Sequence, residues 1–184
     1  MISGVTRREG LPPLTFRLAE LVDAPAVASL IESAYRGEES RRGWTTEADL
    51  IDGQRTSIAA IAEIITAPES HMFLAEADGQ LVGCCHLEAR ADCQAYVGML
   101  TVRPALQGQG VGRALVAKAE HEAHVRWGAA GMRMQVIRQR SELIAWYERL
   151  GYRQTGDTLP FPYDHPGVIT RRNDLEFVVL AKPI

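Results

Sequence analysis

The chain has 184 residues and a formal net charge of −3, which is enough length for one domain with a substantial core. Its 20 Lys and Arg and 23 Asp and Glu residues are mixed along the chain, which argues against a broad nucleic-acid surface. The sequence contains no run of about eighteen apolar residues, so we predict no membrane span. Met1–Gly10 lacks the apolar segment of a signal peptide. The three cysteines, Cys84, Cys85 and Cys93, show no C-x-x-C spacing, so we predict free thiols, a cytoplasmic protein and no metal site.

In chain order, the first half shows strand and helix signals and ends in a hairpin. The predicted elements are a strand at Thr15–Ala19, a helix capped by Asp23, a polar loop at Arg36–Gln54 with one helical turn near Thr46–Leu50, a helix at Ser57–Thr66, and strands at His71–Ala77 and Gln80–Leu87. Pro25 is tolerated because it falls in the first turn of its helix. Asp78-Gly79 lies between two alternating segments and is the strongest hairpin signal in the chain.

The second half predicts alternating strands and helices. The elements are a strand at Ala95–Val102, a helix from Arg113, a strand at Met132–Ile137, a helix at Glu142–Leu150 with Ser141 as its N-cap, and strands at Arg153–Gly156 and Leu175–Lys182. A proline-rich loop, Leu159–Arg172, separates the last two strands. The whole order predicts a mixed α/β (α+β) domain around one sheet, with residues 1–184 as a single domain and 1–13 as a flexible N-terminal segment.

A glycine-rich turn between the strand at Ala95–Val102 and the following helix is the most informative segment. Gln107-Gly108-Gln109-Gly110-Val111-Gly112 is nearly free of side chains, so its backbone N–H groups can point outward at the helix N-terminus and bind phosphate. A P-loop requires Lys followed by Ser or Thr, whereas Arg113-Ala114 follows the last glycine. A dinucleotide fingerprint fits poorly, because the third glycine falls one position early and the next strand ends near Ile137 without an acidic residue.

Two motifs resemble the GNAT superfamily of acyl-CoA-dependent N-acetyltransferases. Leu100-Thr101-Val102-Arg103-Pro104, leading into Gln107–Arg113, is similar to the family's Q-x-x-G-x-G pyrophosphate loop. Ala145–Tyr152 resembles the family's later helix and turn, where a Tyr is followed by Gly and an aromatic residue. The resemblance covers nearly the whole domain. It implies a central mixed twisted sheet of about six or seven strands, flanked by helices on both faces.

The resemblance implies acetyl-CoA as the cofactor. Backbone N–H groups of the turn would hold its pyrophosphate, with Arg113 near a phosphate; these residues are Gln107, Gly108, Gln109, Gly110, Val111 and Gly112. Leu100 and Val102 lie on the family's fourth strand, which splays from the next strand and pairs with the pantetheine arm. The backbone N–H near Leu100 would stabilise the oxyanion. Arg140 stands where many members have an Asn, and it could contact the cofactor.

Tyr147 matches the family's general acid, which protonates the leaving thiolate; the alternative is a Tyr that only packs on the pantetheine. Trp146 and Tyr152 are predicted to be core residues. The base is open: Glu88, His86, Glu47 and Asp49 are candidates, and bulk water through a short chain is another.

The family's acceptor site implies that the loops Tyr35–Arg55 and Leu159–Arg172 bind the substrate. Their aromatic residues are the candidate walls, namely Tyr35, Trp44, Phe161 and Tyr163. Their acidic residues could attract a cationic amine or form an ordinary solvated surface; they are Glu38, Glu39, Glu47, Asp49 and Asp164. The leading function is an N-acetyltransferase acting on a small-molecule primary amine by direct attack in a ternary complex. The alternatives are acetylation of a protein N-terminus or lysine and a non-catalytic acyl-CoA sensor. A homodimer is expected by analogy.

Overall fold

The structure is a computed structural model that describes residues 11–164 and 167–184. Within those ranges it has the following strands and helices: β1 (Leu14–Leu18), α1 (Ala24–Tyr35), α2 (Gly37–Ser40), β2 (Ile51–Gly53), α3 (Ile58–Thr66), β3 (Ser70–Ala77), β4 (Gln80–Arg90), β5 (Gln94–Val102), α4 (Val111–Trp127), β6 (Gly131–Ile137), α5 (Ser141–Arg149), β7 (Arg153–Pro160), β8 (Val168–Thr170) and β9 (Glu176–Pro183). Residues 1–10 of the predicted flexible segment lie outside the described residues, and Leu11 packs against the main core.

Seven strands form one mixed sheet in the order β1-β3-β4-β5-β6-β9-β7, which confirms the predicted fold class. Antiparallel neighbours make up most of the sheet, and β5 runs parallel to β6. The β3–β4 hairpin turns at Asp78 and Gly79, both with positive φ (48° and 71°), as a two-residue primed turn requires. The predicted hairpin is therefore confirmed.

The two central strands, β5 and β6, diverge along their length. They pair through Gln94–Tyr96 and Gly131–Arg133, while the remainder of β5, up to Val102, has no partner on that side among the described strands. On its other side β5 carries a bulge against β4, and Met99 there has a φ of +47°. The expected splay is therefore present, and it leaves backbone groups of β5 free to face a cavity.

Helices cover both faces of the sheet because alternate side chains of each strand point to opposite faces. Cys85 and Leu87 of β4 belong to the main core, together with α4 and α5. Cys84 of β4 belongs to a second cluster with α1 and α3. Both thiols are buried, whereas Cys93 is exposed. Among the described residues, no helix combines the length and the apolar character needed to cross a membrane.

Two three-residue strands were not predicted. β2 and β8 pair with each other in a separate two-stranded sheet, and Arg171 binds Asp52 across it (2.8 Å between Nε and Oδ2). This sheet joins the two loops that were expected to flank the acceptor. Near Thr46–Leu50 the carbonyl of Glu47 accepts the N–H groups of Leu50 and Ile51 (2.8 and 2.9 Å), which is one helical turn as predicted. The short helix of this loop, α2, was not predicted.

Asp23 occupies the N-cap position of α1 as predicted, but without a side-chain cap, whereas the N-cap predicted at Ser141 is wrong. Asp23 precedes α1, but its carboxylate accepts the N–H of Glu20 (2.8 Å) and pairs with Arg17, so it stabilises the 3₁₀ turn before the helix. Ser141 is the first residue of α5, and Arg140 occupies the N-cap position without a side-chain cap. This places the guanidinium of Arg140 away from its own helix and free to contact other elements.

Candidate active site

The glycine-rich turn before α4 presents a row of free backbone donors. Gly108 and Gly110 have φ angles of +79° and +90°, which favour glycine. The first backbone N–H of α4 with a partner is that of Ala114, bonded to the carbonyl of Gly110 (3.0 Å). From Gly108 to Arg113 no backbone N–H has an acceptor among the described residues. A Cβ at Gly108 or Gly110 would meet no atom within 4 Å, so the turn is an open cradle of N–H groups that fits an anion.

Gln107 connects neighbouring segments through its side-chain amide, and its backbone N–H is not one of the free donors of the cradle. That N–H is bonded to the carbonyl of Pro104 (3.3 Å). The side-chain Oε1 accepts the N–H of Trp44 (3.0 Å), and Nε2 donates to the carbonyl of Val102 (3.3 Å). A Cβ at Gly43 would collide with this amide. Gln107 therefore ties the loop after α2 to the free end of β5.

One cavity of about 500 Å³ connects the cradle with the splayed strand. Most of the predicted site residues line it: Leu100 and Val102 on β5, Gln107, Gly108, Gly110, Gly112 and Arg113 at the turn, Arg140 and Tyr147 near α5, Tyr35 at the end of α1, and Trp44 in the loop after α2. Thr45, Leu143 and Arg149 also line it and were not predicted. Trp146, predicted as core, lines this cavity instead, and its ring lies 6.2 Å from that of Trp44.

Four predicted residues are absent from the lining of this cavity, although the backbone N–H groups of Gln109 and Val111 belong to the cradle. The side chain of Gln109 is exposed, and that of Val111 is buried in the main core. Phe161 packs in a third cluster, where its ring stacks on Phe177 (5.5 Å between centroids). The hydroxyl of Tyr163 donates to the carbonyl of Leu175 (3.2 Å). The structure therefore does not bring Phe161 and Tyr163 to the cavity. They hold the segment between β7 and β8 against the residues at the start of β9.

Tyr147 lies on the inner face of α5, where it is 7% exposed. Its ring packs against Trp146 and Tyr152, with centroids 4.9 and 5.9 Å away. Burial raises the pKa of Tyr147 far above its usual value, so its hydroxyl keeps its proton at neutral pH. Tyr152 is fully buried and its hydroxyl donates to Glu120 (3.0 Å), which is the core role predicted for it.

Tyr35 marks the point where β5 meets the loop after α1. Its hydroxyl donates to the carbonyl of Leu100 (3.1 Å). The guanidinium carbons of Arg55 and Arg140 lie 5.1 and 6.0 Å from its ring centroid. An aromatic residue is thus surrounded by cations beside the strand that was expected to stabilise the oxyanion.

The comparisons with known proteins agree with this geometry. Residues 68–154 match the family model of the acetyltransferase (GNAT) domain. The matched segment belongs to the GNAT acetyltransferase domain family. The matched segment contains the splayed strand, the glycine turn and Tyr147, which line the cavity together with Tyr35 and Trp44 from outside that segment.

Solved structures share the fold of this GNAT domain. The ribosomal-protein-S18-alanine N-acetyltransferase from Escherichia coli has 21% identity, coverage of 94% of both chains and a TM-score of 0.70. The IAA acetyltransferase from Bacillus cereus has 16% identity over 94% of this chain and 100% of its own, with a TM-score of 0.67. An acetyltransferase candidate from Salmonella typhimurium, solved with its cofactor acetyl-CoA, has 18% identity over 93% and 94%, with a TM-score of 0.66. The comparison with curated proteins finds no match.

A buried ion network holds the guanidinium of Arg140 at the edge of the cavity. Arg140 Nη1 binds Glu47 Oε1 (2.8 Å), and its Nη2 donates to Thr45 Oγ1 (2.9 Å). Arg36 Nη1 binds the other oxygen of Glu47 (2.9 Å). Burial alone raises the pKa of Glu47, but Arg140, Arg55 and Arg36 together hold it below its usual value. Glu47 is therefore an ionised structural carboxylate and a poor base.

The other base candidates lie outside the cavity of the GNAT domain. The ring of His86 hydrogen-bonds Ser70 (2.9 Å), and burial lowers its pKa. Glu88 pairs with Arg90, and Asp49 pairs with Arg41. Within ranges 11–164 and 167–184, no Asp, Glu or His lines the cavity. A wider groove of about 1130 Å³ runs over β6, β9 and β7, and its described lining contains none of the predicted site residues.

Replacing Gly110 with Leu is expected to weaken acetyl-CoA binding by about 10–100-fold, the loss of one or two charge-assisted hydrogen bonds. The side chain would project into the open cradle and hold the pyrophosphate away from the N–H groups. Gly79→Leu is the matched control, because Gly79 also has a positive φ and open space around it but lies in the distant hairpin. Titration calorimetry with acetyl-CoA measures both. Equal affinities for the two variants would contradict the assignment of the cradle.

Proposed function

We propose that this protein transfers the acetyl group of acetyl-CoA to the primary amine of a small molecule, by direct attack in a ternary complex. The carrying observation is the single cavity that runs from the N–H cradle at Gly108–Arg113 to Tyr147 and the free end of β5. Acetyl-CoA fits the donor set, because unpaired N–H groups at a helix N-terminus suit a pyrophosphate. The diverging strand offers backbone groups for an extended arm.

Acetyl-CoA would supply an activated acetyl thioester. At the reacting end, the backbone N–H of Leu100 would donate a hydrogen bond to the carbonyl oxygen as negative charge develops on it, which is the main electrostatic task in acyl transfer. Tyr147 Oη holds a proton at neutral pH and would release it to the departing sulfur. The proton lost by the amine would pass to solvent, since no described carboxylate or imidazole lines the cavity.

The loop after α2 favours a small acceptor over a protein acceptor. Trp44 lies against Trp146 and is anchored by Gln107, so this loop crosses the cavity as a roof. The pairing of β2 with β8 joins this loop to the segment that contains β8, which narrows the access of an acceptor to the cavity. Such a roofed approach suits a compact amine, whereas a protein N-terminus or lysine would need a more open groove. Tyr147, placed at the cavity, argues against a non-catalytic sensor.

The test is thiol release from acetyl-CoA with a panel of small primary amines and with peptides that carry a free N-terminus or a lysine. We expect turnover with at least one small amine and little or none with the peptides. Turnover confined to peptides would favour the protein-acetylation alternative. If acetyl-CoA binds but no amine of either kind stimulates thiol release, the sensor alternative gains. A cytoplasmic location and a homodimer stay predictions from the sequence.

A further inference from the structure

Three arginines surround Tyr35, and the acidic side chains near them do not balance their charge. Arg36, Arg55 and Arg140 come from three separate segments, and Glu47 lies among them. Glu32 of α1 is the other carboxylate at this place, since its Oε1 accepts the N–H groups of Arg55 and Thr56 (2.6 and 2.7 Å). Three guanidinium groups against two carboxylates leave one positive charge in excess.

The carboxylates of this cluster are already occupied, while guanidinium donors are left over. Glu47 binds Arg36 with one oxygen and Arg140 with the other. The guanidinium of Arg55 makes no hydrogen bond or ion pair with any described residue; it lies over the face of Tyr35. The Nε groups of Arg36 and Arg140 are buried without a hydrogen-bond partner in the described part of the chain. Buried donors of this kind are normally satisfied.

The excess charge lies beside the predicted point of acyl transfer. The hydroxyl of Tyr35 donates to the carbonyl of Leu100. The guanidinium carbons of Arg55 and Arg140 lie 5.1 and 6.0 Å from the centroid of the Tyr35 ring. The cofactor's phosphates would bind at the opposite end, in the cradle. An anionic partner for these arginines therefore belongs to the other substrate.

Three exposed acids of the acceptor loops are already paired with arginines. Asp49 and Glu38 pair with Arg41, and Asp52 pairs with Arg171. A polycationic amine would meet the uncompensated guanidinium groups, and like charges repel. Of the five acidic residues predicted to attract a cationic amine, Glu38, Glu47 and Asp49 are thus already paired with arginines.

We propose that the acceptor carries a carboxylate close to its primary amine, and that Arg55 binds this carboxylate. This inference rests on the proposed function. A guanidinium presents two parallel donors that match the two oxygens of a carboxylate, and Arg55 has both free. The acceptor class is then an amino acid or an analogue with the same two groups. Tyr35 forms the surface on which the guanidinium of Arg55 rests.

The experiment compares matched amines that differ only at the carboxylate, for example each amino acid with its amide and with its decarboxylated amine. Thiol release gives kcat/KM for the wild type, Arg55→Gln, Arg55→Lys and the control Arg133→Gln, which changes an exposed arginine on β6. We expect the wild type and the control to favour the carboxylate by about 10–100-fold, the worth of a charged hydrogen bond. Arg55→Gln should lose this preference, and Arg55→Lys should keep part of it.

Either of two kinetic outcomes would overturn the inference while leaving acetyl transfer intact. One is equal kcat/KM for the two members of each pair, and the other is an unchanged preference in Arg55→Gln. Calorimetric titration of the same amines onto the protein with coenzyme A gives a readout that does not need turnover. Equal affinity for both members of a pair there would also overturn it. Absence of turnover with every amine would count against the proposed function instead.

Discussion

Replacing Tyr147 with Phe is expected to lower kcat by about 10²–10⁴-fold, the usual contribution of a positioned general acid. The ring stays in place, so its packing against Trp146 and Tyr152 is preserved. Acetyl-CoA affinity should therefore change little. Thiol release under saturating substrates measures kcat, and calorimetry measures the affinity. A loss in kcat without a loss in affinity is the signature of proton transfer rather than of packing.

Tyr152→Phe is the matched control for this variant. Tyr152 is also a buried tyrosine at the end of α5, but its hydroxyl binds Glu120 and does not line the cavity. Its removal should cost stability and leave kcat unchanged. Burial keeps the pKa of Tyr147 high, so the wild type should show no loss of activity from ionisation of this group up to pH 9. Full turnover of Tyr147→Phe at every pH would contradict the acid role.

The parts of the fold that could be predicted are those encoded by local sequence. Asp78-Gly79 specifies a hairpin because its turn needs two residues that tolerate positive φ. The glycines at 108 and 110 specify a turn for the same reason, and the cradle follows from the helix that comes next. Tyr147 could be placed by its motif, since α5 and Gly151 fix its position relative to the sheet. Local chemistry was sufficient in each case.

The rest depends on contacts between distant segments, which no local pattern encodes. Glu47 and Arg140 are 93 positions apart, and each by itself looks like an ordinary charged surface residue. β2 and β8 are three residues long, too short for an alternating pattern, and they exist because they pair with each other. Phe161 and Tyr163 have the composition of a pocket wall, but packing against Phe177 and Leu175 uses them instead.

Removing the charge of Glu47 is expected to have the largest effect on stability. Glu47→Gln would leave Arg36 and Arg140 buried with no carboxylate between them, since their side chains are only 10% and 9% exposed. Breaking a buried pair by removing one partner typically costs about 3–5 kcal/mol in the free energy of unfolding. Urea unfolding at pH 7 measures it. The control is Glu38→Gln, because Glu38 is 92% exposed where it pairs with Arg41; no measurable change is expected there.

The difference in the free energy of unfolding between the wild type and Glu47→Gln should depend on pH. The arginines hold the pKa of Glu47 in the folded protein below its ordinary value of 4.5. A carboxyl whose pKa is lowered by folding stabilises the protein fully above its unfolded pKa, and this contribution is lost as the pH falls through the folded pKa. The stability gap between the wild type and Glu47→Gln should therefore be constant from pH 7 to about pH 5 and shrink at lower pH. A gap that is already small at pH 7 would mean that the Glu47 carboxylate does not hold the two arginines. In that case the acceptor loop would be anchored mainly by Gln107 and by the β2–β8 pairing.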